Sequence, residues 1–241
     1  MPSLTGSSPA CRLPRLRRCV LALGALLTVA SAAATVPDYL REALGKFNSE
    51  VPAGWAYTLT TVRNADARTT ARFDPARPPA DQWTLLELNG RVPTAKEGTQ
   101  YSRARAGGGD SSAPQGTFQK GDIDPASITL ISEDADRGDF RCGFRAEATG
   151  ADKMLGHLHL RLTVNKRQPH VEKFALELKA PYSPVLGVKM RELLVQMRFT
   201  PPESDRPSLP AVNSSRFLGR IFFIGMEENL TLTYTDLVPV Q

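Results

Sequence analysis

Two neighbouring stretches, Leu158-His-Leu-Arg-Leu-Thr-Val164 and Val171-Glu-Lys-Phe-Ala-Leu-Glu-Leu178, decide the fold class of this chain. Apolar side chains recur at every second position in both, which is the pattern of a β-strand with one buried face. A short polar connection joins the stretches, so we predict an antiparallel pair. Matching the apolar faces predicts the cross-strand pairs Leu158–Leu178, Leu160–Leu176 and Leu162–Phe174, with His159 opposite Glu177 on the other face.

The same period of two recurs along most of the chain. It predicts strands near residues 55–63, 67–74, 83–88, 127–131 and 140–148. The stretch Val188–Phe199 changes parity part-way, which a bulge near Arg191-Glu192 explains in a strand, although a helix is the alternative. A last hairpin, 216–224 with 230–234, is predicted to turn at 225–229. We therefore expect a large curved antiparallel sheet of eight or nine strands.

Two segments have helical rather than strand periodicity. The first has apolar residues at the spacing of a single helical stripe: Val36, Tyr39, Leu40, Ala43, Leu44 and Phe47. The second begins at Thr94-Ala-Lys-Glu97, which has the spacing of a capping box, and should continue to about Arg105. The predicted class is α+β, with the sheet half-wrapped around one or two helices.

The N-terminal residues have the three parts of a secretory signal peptide. Residues 12–18 contain four arginines and no acidic residue, an apolar run follows from Cys19 to Ala30, and small residues then fit a cleavage site near Ala34. The apolar run is shorter than the roughly 20 residues that cross a bilayer. We therefore predict a cleaved leader at 1–34, a single exported domain at 35–241 that does not span a membrane, and a periplasmic or secreted location.

Removal of the leader changes what the composition implies. The whole chain has 30 basic and 25 acidic residues, and the loss of four arginines leaves 26 basic residues against 25. The net charge of a nearly neutral exported chain gives no reason to expect nucleic acid or an anionic membrane as a partner. Of three cysteines only Cys142 remains, in an alternating strand pattern, so we predict a buried thiol and no internal disulfide.

Chemistry-bearing motifs are sparse. The chain has no nucleophile-elbow, Ser-x-x-Lys or His-Glu-x-x-His motif, and no phosphate-binding loop. His157 and His159 would share a face if both lay on a strand, which makes them weak candidates for metal ligands. We therefore predict a protein without enzymatic activity or cofactor, and keep a metal-dependent hydrolase that uses these two histidines as a less favoured alternative.

One stretch carries a resemblance. Arg72-Phe-Asp-Pro75 is followed by Trp83-Thr-Leu-Leu-Glu-Leu-Asn-Gly-Arg-Val-Pro-Thr94. An Asp-Pro loop, a Trp-x-Leu-Leu strand and an Asn-Gly-x-x-Pro-Thr turn in this order resemble a group of uncharacterised exported bacterial proteins. The order of elements also resembles the periplasmic lipoprotein carrier (LolA-like) fold. That resemblance implies an antiparallel sheet that leaves an apolar cavity for acyl chains.

The functional prediction combines export with the inward apolar residues. We expect a periplasmic protein that binds a lipid, an acyl chain, a lipoprotein or another apolar partner on the concave face of its sheet. The candidate ligand-contacting residues are Trp83, Leu85, Phe140, Leu160 and Phe174. The alternative is an envelope interaction or assembly factor that acts through an edge strand or the Gly-rich stretch 107–116, which we predict to be part of a flexible loop at 107–118.

Overall fold

The computed structural model of the chain describes residues 36–106 and 118–240. The predicted signal peptide and all but the last residue of the predicted loop at 107–118 lie outside the described residues. Residues from Ala34 to Gln241 form one compact unit. Within the described ranges, no helix is long and apolar enough to cross a membrane.

The described elements are mostly strands. The helices are α1 (Asp38–Lys46), α2 (Ala95–Ala106) and α3 (Ala146–Ala151), with short 3₁₀ turns at Lys120–Asp122 and Leu155–His157. The strands are β1 (Trp55–Arg63), β2 (Ala67–Phe73), β3 (Trp83–Leu88), β4 (Ile123–Glu133), β5 (Arg137–Phe144), β6 (Leu158–Asn165), β7 (His170–Leu178), β8 (Val188–Phe199), β9 (Pro210–Ile221) and β10 (Ile224–Pro239).

The strands form one antiparallel sheet in the order β3-β2-β1-β10-β9-β8-β7-β6-β5-β4. From β4 to β10 each strand pairs with the next along the chain, and β10 then pairs with β1. The predicted large antiparallel sheet is confirmed, with ten strands in the described residues rather than eight or nine. The long-range contact between β1 and β10 joins the beginning of the described chain to its end.

The register predicted for the central hairpin is confirmed. β6 and β7 pair Leu158 with Leu178, Leu160 with Leu176, Leu162 with Phe174 and His159 with Glu177. β8 is a strand along its whole length, so the helical alternative is wrong. Its pairing with β9 shifts between Met190 and Glu192, at the position of the predicted bulge.

The predicted turn of the last hairpin is wrong. β9 and β10 turn at Phe222-Phe223, and 225–229 lies within β10, paired with β9. Gly225 and Asn229, which bound that stretch, are residue types typical of a turn, and glutamate is uncommon in strands. Here the strand accommodates them, because Glu227 and Glu228 form ion pairs with Arg216 at 3.8 Å and Arg63 at 2.7 Å.

The main core lies between α1 and strands β5 to β8. α1 buries Leu40 and Ala43 against the sheet. Phe118, the first residue of the described range 118–240, is buried in the same cluster. We call this cluster the α1 core. Its other buried members are Ile123, Phe140, Cys142, Leu155, Leu158, Leu160, Leu162, Val164, Val171, Phe174, Leu176, Val195, Met197 and Phe199.

α1 and α2 lie on the same face of the sheet, which we call the inward face. Cross-strand pairing carries one row of side chains from the α1 core to the other end of the sheet: Phe140, Leu162, Phe174, Met197, Asn213, Leu232, Thr61 and Thr69. Tyr57 has the same parity as Thr61 in β1, and it pairs through Phe73 with Trp83. Since α2 contacts Trp83 through Tyr101, it covers that same face.

Candidate functional site: a cavity between two apolar clusters

A second cluster, made mainly of aromatic rings, occupies the inward face around β1, β2, β3 and β10. Its rings are Tyr57, Phe73, Trp83, Tyr101 and Tyr234, and we call it the aromatic cluster. Tyr57 is central, with ring centroids 5.2 Å from Phe73, 5.8 Å from Trp83 and 5.6 Å from Tyr234. These separations and tilted or edge-to-face angles are those that aromatic pairs favour. The strands hold the rings together, because Tyr57, Phe73 and Trp83 are cross-strand partners.

Arg105 of α2 lies over this cluster. Its guanidinium carbon is 4.9 Å from the Trp83 ring centroid and 5.3 Å from that of Tyr101, and its Nε donates a hydrogen bond to the Tyr101 hydroxyl at 3.2 Å. A guanidinium over an indole face is attracted by the ring quadrupole. This contact fixes the C-terminal end of α2 over the edge of the sheet.

Burial changes the acidity of the cluster's phenols. It raises the pKa of Tyr57 to about 12, with a smaller contribution from Tyr234, and the positive charge of Arg105 opposes the shift. Burial also raises the pKa of Tyr234. A phenol is already neutral at physiological pH, and these shifts keep both phenols neutral well above it.

A cavity of about 480 Å³ lies between the aromatic cluster and the α1 core, and we call it the inward cavity. The connection from α1 to β1 forms one side of it, residues 49–54. The other lining residues come from the sheet and the loop after β2: Trp55, Tyr57, Phe73, Pro75, Met197, Asn213 and Tyr234. Ligand sites in proteins are typically clefts of about 300–1,000 Å³ lined mainly by apolar and aromatic side chains, and this cavity fits that description.

Two polar side chains interrupt the apolar row beside the cavity. Asn213 and Thr61 flank Leu232 across β9, β10 and β1, and they are only 6% and 9% exposed. Neither Asn213 Oδ1 nor Thr61 Oγ1 has a hydrogen-bond partner among the described residues. A buried acceptor without a hydrogen-bond partner costs free energy. Burial of Asn213 and Thr61 therefore stabilises the fold less than burial of apolar side chains at the same two positions would.

The five residues predicted from the sequence lie in two separate places. Phe140, Leu160 and Phe174 are 1%, 0% and 3% exposed in the α1 core, covered by α1. Trp83 and Leu85 line a different cleft of about 700 Å³ between β3 and α2, which we call the α2 cleft. Trp83 nevertheless packs behind Tyr57 and Phe73, which line the inward cavity.

The residues that line the inward cavity were missed by the sequence reasoning. Tyr57 and Phe73 fall on predicted strands, but neither residue was predicted to contact a ligand. No pattern in the residues around Tyr234 indicates that it lies beside them, because β10 pairs with β1, a strand at the other end of the described sequence. The side of β1 that faces Tyr234 could be found only from that long-range register.

The histidine pair is arranged differently from the expectation. His157 lies in the 3₁₀ turn before β6 and stacks on Tyr182 with ring centroids 3.6 Å apart, whereas His159 lies in β6 opposite Glu177. Burial, then the charges of Lys179 and Arg141, lower the pKa of His159. Among the described residues, no three His, Cys, Asp or Glu side chains are grouped so that they could hold a metal ion.

Comparison with known proteins finds similarity to a solved structure. No protein-family model matches the chain, and no curated protein matches it. The solved structure of a LolA superfamily protein from Nitrosomonas europaea is similar at 14% sequence identity and a TM-score of 0.37, over 84% of this chain and 92% of that chain. A similarity at this level assigns no role to any residue of this chain.

Proposed function

We propose that this chain is an exported binding protein without catalytic activity, and that it takes up a lipid or acyl chain in the inward cavity. The observation that carries the proposal is the cavity itself, which lies between two apolar clusters instead of being filled by them. The leader-like residues at 1–34 support export.

The lining residues favour an apolar ligand. Glu50 is the one carboxylate or cationic side chain among the cavity-lining residues described, and the two tyrosines, whose pKa burial raises further above the physiological range, are neutral. The α2 cleft differs, because Arg77, Asp81 and Arg103 line it. An acyl chain placed in the inward cavity would cover Met197 and the faces of Tyr57 and Tyr234, and would remove apolar surface from water.

The test is uptake of a fluorescent fatty acid by the compact unit, residues 34–241. Trp55 lines the cavity and Trp83 packs behind it, so both can transfer excitation energy to bound cis-parinaric acid. We expect saturable energy transfer in the unmodified protein. Ala53→Phe places a ring at the cavity wall from an exposed position, and should weaken binding at least about tenfold.

Ala80→Phe is the matched control. Ala80 is also exposed, but it lines the α2 cleft, so the same substitution there should leave uptake unchanged. Absence of uptake by the unmodified protein would contradict the proposal. Equal uptake by Ala53→Phe, or loss of uptake only in Ala80→Phe, would place the ligand outside the inward cavity and would also contradict it.

The alternative of an assembly factor depends on an accessible edge strand. β4 is one edge of the sheet and exposes Leu130 and Ile131, which favours this alternative. Its pairing with β5, however, shifts between Asp124 and Thr129 and again between Leu130 and Ser132. Such bulges hinder the addition of another strand, so the edge is poorly suited to that role.

A further inference from the structure

Six of the twelve large apolar residues that are exposed in the described part of the chain gather at one end of the sheet, in two adjacent turns. One turn joins β7 to β8 and the other joins β9 to β10. We call them together the apolar tip. Its members, with their exposed fractions, are Val185 (61%), Leu186 (99%), Ile221 (39%), Phe222 (65%), Phe223 (99%) and Ile224 (72%).

Backbone contacts make the two turns one surface. The Phe222 N–H donates a hydrogen bond to the Gly187 carbonyl, and Val188 pairs with Ile221. The Phe222 ring lies over Gly187, where an added Cβ would be 2.7 Å from the ring. Phe222 has a φ of +51°, in the left-handed region that favours glycine, so the turn holds a large aromatic residue at a strained position.

Two basic residues flank the tip. Lys189 and Arg220 are exposed and lie directly opposite each other, one residue in from the Val188–Ile221 pair. Like charges in this arrangement repel, and neither forms an ion pair with any described residue. The nearest acidic side chains on these strands, Glu192 and Glu227, lie farther from the tip and are both paired with Arg216.

We infer that the apolar tip docks on the surface of a bilayer that contains anionic phospholipid. Exposed apolar side chains such as Leu186 and Phe223 can insert among acyl chains, because a bilayer needs no complementary groove. The hydrogen bond that the Phe222 N–H donates to Gly187 keeps this backbone donor satisfied when the tip enters the bilayer. Lys189 and Arg220 would then lie at the depth of the headgroups, where anionic lipids attract them.

The tip and the inward cavity are separate sites. Asn213 at the cavity and Ile221 at the tip are eight residues apart in β9, or about 26 Å at the rise of a strand. Docking therefore goes beyond the proposed function and does not depend on it. A variant of the tip should leave fatty-acid uptake unchanged, and Ala53→Phe should leave docking unchanged.

The experiment measures co-flotation of residues 34–241 with vesicles of phosphatidylcholine alone or with about 30% phosphatidylglycerol. We expect binding to the anionic vesicles, weakened by added salt. Leu186→Ser with Phe223→Ser should reduce that binding at least about tenfold, because both side chains lose their apolar contact with the bilayer. Leu130→Ser, a similar change at an exposed leucine of β4, should have no effect.

Lys189→Gln with Arg220→Gln tests the charge contribution. Two basic residues near an anionic surface account for about a 30-fold change in affinity, so this variant should bind both kinds of vesicle equally and lose its salt dependence. No binding of the unmodified protein to anionic vesicles would overturn the inference. A second outcome would also overturn it: light scattering shows a dimer, and Phe223→Ser dissociates the dimer without changing vesicle binding. The tip would then bind a second copy of the chain.

Discussion

α1 and α2 lie on the same face of one sheet, but different forces hold them there. α1 buries Leu40 and Ala43 in the core, whereas no side chain of α2 is buried. α2 is held by polar and ring contacts: the Ser102 hydroxyl donates to the Trp83 carbonyl at 2.7 Å, and Arg105 lies over the Trp83 ring. The α1 side is thus a packed core, and the α2 side is a cover over an aromatic surface beside a cavity.

The largest expected effect tests whether the α1 side is packed. Leu160 is fully buried beneath α1, so Leu160→Ala should lower the free energy of unfolding by about 2–5 kcal/mol. Leu86→Ala, at a residue of β3 that is 47% exposed, should change it by less than about 0.5 kcal/mol. Urea unfolding of both variants measures the difference, and equal shifts would contradict the comparison.

Alkaline pH separates the two sides by their ionisable groups. Burial raises the pKa of Cys142 from 9 to about 12 in the α1 core, and that of Tyr57 from 10 to about 12 in the aromatic cluster. When folding raises the pKa of a group, its contribution to folding stability is complete below the pKa of the unfolded chain. That contribution is lost as pH rises through the pKa of the folded protein. We expect a loss that begins near pH 9 and reaches on the order of 2 kcal/mol or more by pH 12.

Single substitutions assign this loss to its sources. Cys142→Ala should remove the part that begins near pH 9, and Tyr57→Phe should reduce the part between pH 10 and 12. Tyr39, whose pKa is raised to about 12 by burial and by its hydrogen bond to Glu133, contributes in the same range in both variants. Unfolding midpoints from pH 8 to 12 give the measurement. A loss that neither substitution changes would show that these buried groups do not control it.

Features that depend on neighbouring residues could be predicted from the sequence. The register of β6 and β7 followed from alternation across a short connection, and the capping box at Thr94 and Glu97 followed from spacing. The buried Cys142 is likewise confirmed. In each case the pattern and the contact that it predicts lie within one or two adjacent elements, so tertiary structure had little opportunity to override them.

The candidate site could not be predicted in the same way, because it forms where distant segments meet. Alternation identified Phe140 and Leu160 as inward, but it does not indicate that α1 covers them while Tyr234 beside β1 borders a cavity. The turn at Phe222-Phe223 was missed for a related reason. Two exposed phenylalanines give no local turn signal, whereas Gly225 and Asn229 do.

The smallest expected effect concerns the attachment of α2. The Thr94 hydroxyl accepts a hydrogen bond from the Glu97 N–H, and Glu97 accepts from Thr94 and Arg91. These contacts lower the pKa of Glu97 to about 2, and the hydrogen bond from Arg91 has the largest effect. The stabilisation that ionised Glu97 gives to the start of α2 is therefore present above pH 4.5 and is lost as pH falls toward 2. Thr94→Ala should weaken the start of α2 by about 1 kcal/mol.

Because α2 buries no side chain, that loss should remain local. Amide hydrogen exchange within α2 should become about fivefold faster in Thr94→Ala, while the urea midpoint of the whole protein changes little. Lys96→Ala, an exposed change in the same helical turn that leaves the cap intact, should alter neither. If Thr94→Ala instead lowered the global midpoint with unchanged local exchange, α2 would unfold together with the α1 core. The contrast between a packed core and a separately held cover would then be wrong.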